Sequence, residues 1–317
     1  MAGRRAVSRF HPNLLRLMRA MNKQFAAAIF FISFLLVACV QPSDWFSRAQ
    51  MEFDQSDYLG AIVALNTHLQ NGDSSCDALH LRAKSYRRIG KWRLAALDLM
   101  RAQSKWPNCI DAKLELARVL SDSGDTAAAH AQLNKLNNAT GTLGAEIQIE
   151  QALLAYKQDR FHQALWHLDR AIQCDTLNHL AWYYRGYLRS RFTDDDHSAG
   201  ARIMDLLDFD AAISDFSRCL LIDPKFADAW YQRGIVYLNM LNHQLGLRDL
   251  KQAIILEPNF SFYYTGRAEY FMRERDFRSA KKDLQKAILI NPNDSLNRAL
   301  LKRANDSLFN QSTKEVL

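Results

Sequence analysis

Glycine and proline are scarce in this chain, with 12 and 6 among 317 residues. Their scarcity argues against flexible linkers and Pro-rich spacers and leaves most of the length open to helix. No apolar run reaches the roughly 20 residues that a membrane-spanning helix needs; the longest, Phe25 to Ala38, has 14. Runs of basic residues are also missing. The formal charge of +7 is concentrated at one end, because residues 1–39 hold five arginines and Lys23 with no acid. The remainder balances 35 basic against 34 acidic side chains, which excludes a nucleic-acid tract. There is no Gly-rich phosphate loop, no G-x-S-x-G elbow and no H-E-x-x-H helix. No catalytic residue, metal ligand set or cofactor site is therefore expected.

What the chain does have is a period of 34 residues between 42 and 294. An aromatic or apolar residue stands at position 4, a small one at 8 and a bulky one at 11. Alanine or glycine follows at 20, leucine or an aromatic at 24, a small residue at 27 and proline at 32. Repeat 227–260 carries Trp230, Gly234, Tyr237, Gly246, Leu250, Ala253 and Pro258, and 261–294 carries Tyr264, Ala268, Phe271, Ala280, Leu284, Ala287 and Pro292. The copies at 42–75, 76–109, 110–143, 145–178 and 179–226 are weaker. Repeat 179–226 runs to 48 residues, with its excess around 193–206. Small residues let two antiparallel helices approach, bulky ones fill the space between them, and proline ends the second helix.

This template resembles the tetratricopeptide-repeat (TPR) family, one helix–turn–helix per 34 residues. The resemblance implies an all-α, right-handed superhelical solenoid of seven such repeats. Residues 295–317 would form a C-terminal capping helix and tail, with Leu296, Ala299, Leu300 and Leu308 near one face. It also implies that first helices line a concave groove for protein or peptide partners, through positions 2, 5, 9, 12 and 13. Carried onto this sequence, those positions give Lys84, Arg87, Arg88 and Arg118, then Tyr156, Tyr183, Tyr187, Tyr231 and Ile235. The carboxylate clamp of chaperone adaptors does not match, since its places hold His80, Lys84, Glu115 and Asp111.

The tetrapeptide Leu36-Val37-Ala38-Cys39 resembles the bacterial lipobox, so residues 1–38 read as a signal peptide, with 1–20 as an over-extended start before Met21. By that resemblance Cys39 carries the lipid, and Val40 after it implies the periplasmic face of the outer membrane. The expectation is a membrane-tethered TPR lipoprotein of the cell envelope, non-catalytic and with no nucleic-acid partner. Two alternatives remain open: a signal-anchor helix, and a mitochondrial presequence of an organellar TPR protein acting in assembly or import, built on Arg4, Arg5, Arg9, Arg16 and Arg19.

Arginine recurs at position 7 (Arg48, Arg82, Arg185, Arg233, Arg267) and aspartate at 23 (Asp98, Asp215, Asp249, Asp283). Their joint presence and absence suggests an ion pair within each hairpin that fixes helix register, with an anion-binding ladder as the functional alternative. Cys76 and Cys109 fall in neighbouring inter-repeat loops. Loops a helix diameter apart, about 10 Å, are too far for a bridge that wants Cα atoms below about 7 Å, so the pairing stays open. Cys219 at position 27 reads as core, and Cys174 as a free, partly buried thiol. Asp194, Asp195, Asp196 and His197 lack metal-ligand spacing and read as capping acids on a solvated loop, while His68, Cys76 and His80 cluster near the first repeat junction, with a shared metal as the minor alternative.

Overall fold

The computed structural model describes residues 44–72, 74–136, 138–191 and 208–315. The signal segment, Cys39 and the 193–206 insertion with its acidic run lie outside the described residues. Within them the chain is all helix, and it divides into two compact units, one ending at Glu115 and one starting at Leu116.

The first unit holds α1 (Trp45–Asp54), α2 (Tyr58–Gln70), α3 (Cys76–Arg88), α4 (Trp92–Lys105) and the start of α5 (Ile110–Asp122). Ala49, Ala64, Leu65 and Ala78 make one of its cores, with Trp45, Phe46, Leu69 and Leu81 against it. The second unit continues with α6 (Thr126–Asn134), α7 (Gly141–Tyr156), α8 (Phe161–Cys174), α9 (His179–Arg191) and α10 (Phe209–Ile222). It ends with α11 (Ala227–Asn239), α12 (His243–Leu256), α13 (Ser261–Arg273), α14 (Phe277–Ile290) and α15 (Ser295–Glu315). In this unit α7 packs on α8, α9 on α10, α11 on α12 and α13 on α14 as hairpins, and α15 covers α14. Helix α7 begins at Gly141, four residues before the start that the 34-residue count assigns to its repeat.

The turn between the two helices of a hairpin is fixed by position 15, which takes a left-handed backbone. Ser56, Gly90, Gly124, Asp159, Leu241 and Arg275 all stand there with φ between 57° and 92°. Glycine does this without strain, whereas the Cβ of the other four costs about 1 kcal/mol or more. The next residue caps the second helix. Asp57, Asp125, Asp208, Asn242 and Asp276 each accept from a backbone N–H in the first turn, while Lys91 and Arg160 give no side-chain cap.

Close packing explains the small residues. A Cβ on Gly234 would meet the Gly246 carbonyl and Leu250 at 3.0–3.2 Å, so α11 and α12 touch where positions 8 and 20 are both glycine. The aromatic at position 4 has one repeated role. Trp182 and Trp230 donate Nε1–H to the carbonyls of Thr176 and Pro224, and Tyr264 donates its hydroxyl to that of Pro258, always six residues back. These equivalent environments tie each first helix to the loop before it.

The closing helix departs from the face expected of it. Asp294 caps it through Asn297 N, and the covered side is Asn297, Leu300, Leu301 and Ala304. Leu296 stays exposed. The reason is polar: Thr265 donates to Asn297 Oδ1 at 2.7 Å inside the contact, which sets the rotation of α15.

Candidate partner surface

In the second unit the first helices of successive hairpins touch one another, α7 to α9, α9 to α11 and α11 to α13. Aromatic side chains run along this row. Tyr156 meets Tyr187 edge-on at 6.4 Å, and Tyr187 lies 6.2 Å from Tyr183. Tyr183 then packs on Phe226 at 4.9 Å, and farther on Tyr231 stacks on Tyr263 at 5.2 Å and meets Phe262 at 5.1 Å. Burial, aided by nearby acidic charge, pushes the Tyr231 hydroxyl up to about 12 and raises that of Tyr183 further. Tyr263 donates to Asp228 at 2.7 Å, and its burial followed by that bond holds it protonated. These are neutral phenols, suited to apolar contact and hydrogen bonding and not to proton transfer near pH 7.

The expected groove residues divide. Tyr156, Tyr183, Tyr187 and Ile235 are half-buried on the row, with Arg191 over the Tyr187 ring at 4.8 Å. Tyr231 is only 5% exposed, so it supports the wall from beneath. Arg118 is not a free cation: its Nε donates to Glu150 at 2.7 Å and Nη2 to Glu146 at 3.2 Å. That pair edges a cleft of about 470 Å³, which Leu153, Asn178, His179 and Tyr184 also line. Lys84, Arg87 and Arg88 belong to the first unit. Lys84 sits 5.3 Å over Phe53, Arg87 donates to buried Glu115 at 2.7 Å, and Arg88 is exposed.

The arginines at position 7 are bonded to the aspartates at 23. Arg82 Nε and Nη2 donate to Asp98 at 2.7 and 2.6 Å, and Arg185 grips Asp215 at 2.9 and 2.7 Å. Arg267 grips Asp283 at 2.7 and 2.8 Å, while Arg233 Nε donates to the fully buried Asp249 at 2.7 Å. The ladder is thus structural, because its guanidinium groups are committed inside the hairpins. Arg48 has alanine at its position 23 and donates to Glu52 on its own helix.

A second arm of this device went unseen in the sequence. Nη1 of Arg82, Arg185 and Arg233 reaches back to Asn66, Asp169 and Ser217, each at position 25 of the preceding repeat, at 2.7–2.9 Å. The signal was present, since each acceptor stands 16 residues before its arginine. Its varied chemistry, amide, carboxylate and hydroxyl, hid the recurrence.

Cys76 and Cys109 form a disulfide with Cα atoms 6.6 Å apart, closer than a helix diameter. Cys76 opens α3 and Cys109 immediately precedes α5, so the bridge joins the starts of two successive first helices. The bridge also removes Cys76 from any metal set with His68 and His80. Cys174 and Cys219 are free thiols, and burial pushes Cys219 up to about 12. Among the described residues no group of three His, Cys, Asp or Glu side chains is placed to hold a metal.

Residues 263–294 match the family model described as tetratricopeptide repeat. No curated protein sequence matches the chain. Solved structures with a similar fold include the APC/C hetero-tetramer Cut9–Hcn1, 16% identical with a TM-score of 0.60 over 76% of this chain and 45% of that one. A tetratricopeptide repeat protein from Parabacteroides merdae is 17% identical with a TM-score of 0.57, over 82% of this chain and 97% of its own. The human IFIT1 dimer with m7Gppp-AAAA is 16% identical with a TM-score of 0.65, over 82% of this chain and 61% of that one. The chain thus spans less than half of the Cut9–Hcn1 chain and under two thirds of IFIT1. These likenesses show the fold and support the TPR resemblance. Folds of this kind generally serve as scaffolds for protein or peptide partners.

Proposed function

We propose that this protein is a non-catalytic scaffold that holds protein or peptide partners in the bacterial cell envelope, tethered by lipid on Cys39 to the periplasmic face of the outer membrane. The observation that carries the binding part is the row of half-buried tyrosines on consecutive first helices. Tyrosine offers wide contact area and a hydroxyl at small entropy cost, and the helices behind it are already locked in place. Rows of this kind suit an extended or helical peptide. The Cys76–Cys109 bridge supports an oxidising compartment such as the periplasm. Apart from the bridge, the tether rests on the sequence around Cys39.

Two measurements test the reading. Palmitate incorporation that is abolished by Cys39→Ala supports the tether, and incorporation unchanged by it removes the tether. For the surface, Tyr156→Ala with Tyr187→Ala is preferable to a change at buried Tyr231. If the row is the hot spot, affinity for a captured envelope partner should fall roughly thirtyfold or more, while circular dichroism stays helical. Equal affinity would sink the surface.

A further inference from the structure

The second helices of the first unit have an outer side unlike that of a solvated helix. On α2, Leu59 and Val63 are 66% and 63% exposed, and the helix holds no acidic, lysine or arginine residue. On α4, Leu97 and Met100 are 61% and 53% exposed, with Leu94 beside them. Arg93, Arg101 and Lys105 are exposed on the same side of α4. At 3.6 residues per turn these six side chains fall within an arc of about 140°. The only acid in α4 is Asp98, which faces inward and is bonded to Arg82. Asp57, at the α2 start, is held by Gly60 N. The two helices flank one shallow depression of about 200 Å³, with Asn66, Leu69 and Gln70 from α2 and Arg101 from α4. Val63 and Leu97 both occupy repeat position 22, where the last three repeats carry Ser214, Arg248 and Lys282.

We propose that this side of α2 and α4 lies on an anionic phospholipid surface, with Leu59, Val63, Leu97 and Met100 dipped among the headgroups and Arg93, Arg101 and Lys105 on the phosphates. Asp57 is exposed, but it lies before α2; within the two helices the surface has exposed bases, exposed apolar residues and no exposed acid, which matches that environment in both charge and polarity. The reach of the chain agrees. From Cys39 to the first residue of α1 is six residues, at most about 20 Å of extended backbone. The inference rests on the lipid tether proposed above, and it orients the first unit against the surface that the tether reaches.

The test places a photo-crosslinking benzophenone amino acid at Leu97 in the full chain, with Ser214, at the equivalent repeat position, as the comparison site. The acylated protein is inserted into phosphatidylglycerol vesicles and irradiated, and the adducts are weighed. Phospholipid adduct at 97 and little at 214 is the expected result. Phosphatidylcholine vesicles, or Arg93→Glu with Arg101→Glu, should lower that adduct roughly tenfold. A protein adduct at 97, equal lipid adduct at both sites, or no adduct while the chain still sediments with vesicles each overturns the proposal. In the last case the tether stands and the face does not. Lipid adduct at 97 that persists in Cys39→Ala would uphold the face by itself, while the palmitate measurement above decides the tether.

Discussion

Hairpins 145–178 and 227–260 share a helix plan and differ in what locks them. In the later one Arg233 spans three elements, bonded to Asp249 across the hairpin and to Ser217 in the repeat before. In the earlier one Gln151 and His167 hold the corresponding positions, and the ring of His167 bonds Gln148 at 2.8 Å while Gln151 reaches Asn134 at 3.5 Å. The same joint is thus made with ions in one place and with neutral groups in the other. An ionic joint is nearly indifferent to pH in the physiological range but costly to half-remove, and a neutral histidine joint is the reverse.

The largest expected effect comes from cutting the ionic joint on one side. Asp249→Ala leaves a guanidinium buried without its carboxylate, and should lower stability by about 3–5 kcal/mol in urea unfolding. Replacing both partners, Arg233→Met with Asp249→Leu, should cost distinctly less. Equal losses would mean that the pair itself, not the orphaned charge, supplies the stability.

The first unit adds a covalent joint to its ionic one. Closing a loop of 33 residues by a disulfide is worth about 3–4 kcal/mol through the unfolded chain. Cys76→Ser with Cys109→Ser should lower the unfolding free energy in urea by that amount, and added reductant should then have no further effect.

The neutral joint should answer to acid. Burial, with the charges of Arg170 and His130, lowers His167 from 6.5 to about 4. Between these values the unfolded chain binds more protons than the folded one. The contribution is therefore full above about pH 6.5 and lost as pH falls toward 4, on the order of 3 kcal/mol in all. His167→Gln should flatten the pH dependence in that window, read as the difference from wild type in thermal unfolding at pH 7 and pH 4.5. An unchanged slope would show that the ring titrates normally.

The smallest effect is a gain. Leu241 holds φ of 60° in the turn before α12, where Gly90 and Gly124 stand in other repeats. Leu241→Gly should raise stability by about 1 kcal/mol or less, since relief of strain outweighs the entropy of glycine.

The all-α hairpin plan was legible because small residues recur where helices cross, as Gly234 and Gly246 do, and because Trp182, Trp230 and Tyr264 repeat one hydrogen bond. The arginine–aspartate pairing was legible for a similar reason: both ends are single residue types at fixed positions. The backward arm escaped because any acceptor suffices at position 25. The Cys76–Cys109 bridge escaped because a helix diameter overstates the gap between loop residues that lean toward each other. Of the groove residues carried over from the TPR resemblance, Tyr156 and Tyr187 do share a common row. The resemblance could not foresee that Tyr231 would be roofed by Phe262 and Tyr263, or that Arg118 would be occupied by two glutamates of the next repeat.

The backward arm has a mechanical corollary at the far end of the second unit. Arg267 closes its own hairpin, but the residue 16 places before it is Lys251, which offers no acceptor. Hairpin 261–294, with α15 on its back, therefore lacks that buried ionic thread and is stitched to its predecessor by aromatic and apolar contact and by the phenol bonds of Tyr263 to Asp228 and Tyr270 to His243. Exchange of amide hydrogens in α13 to α15 should outpace that in α11 and α12, so the stack would unzip from this end before it melts as a whole.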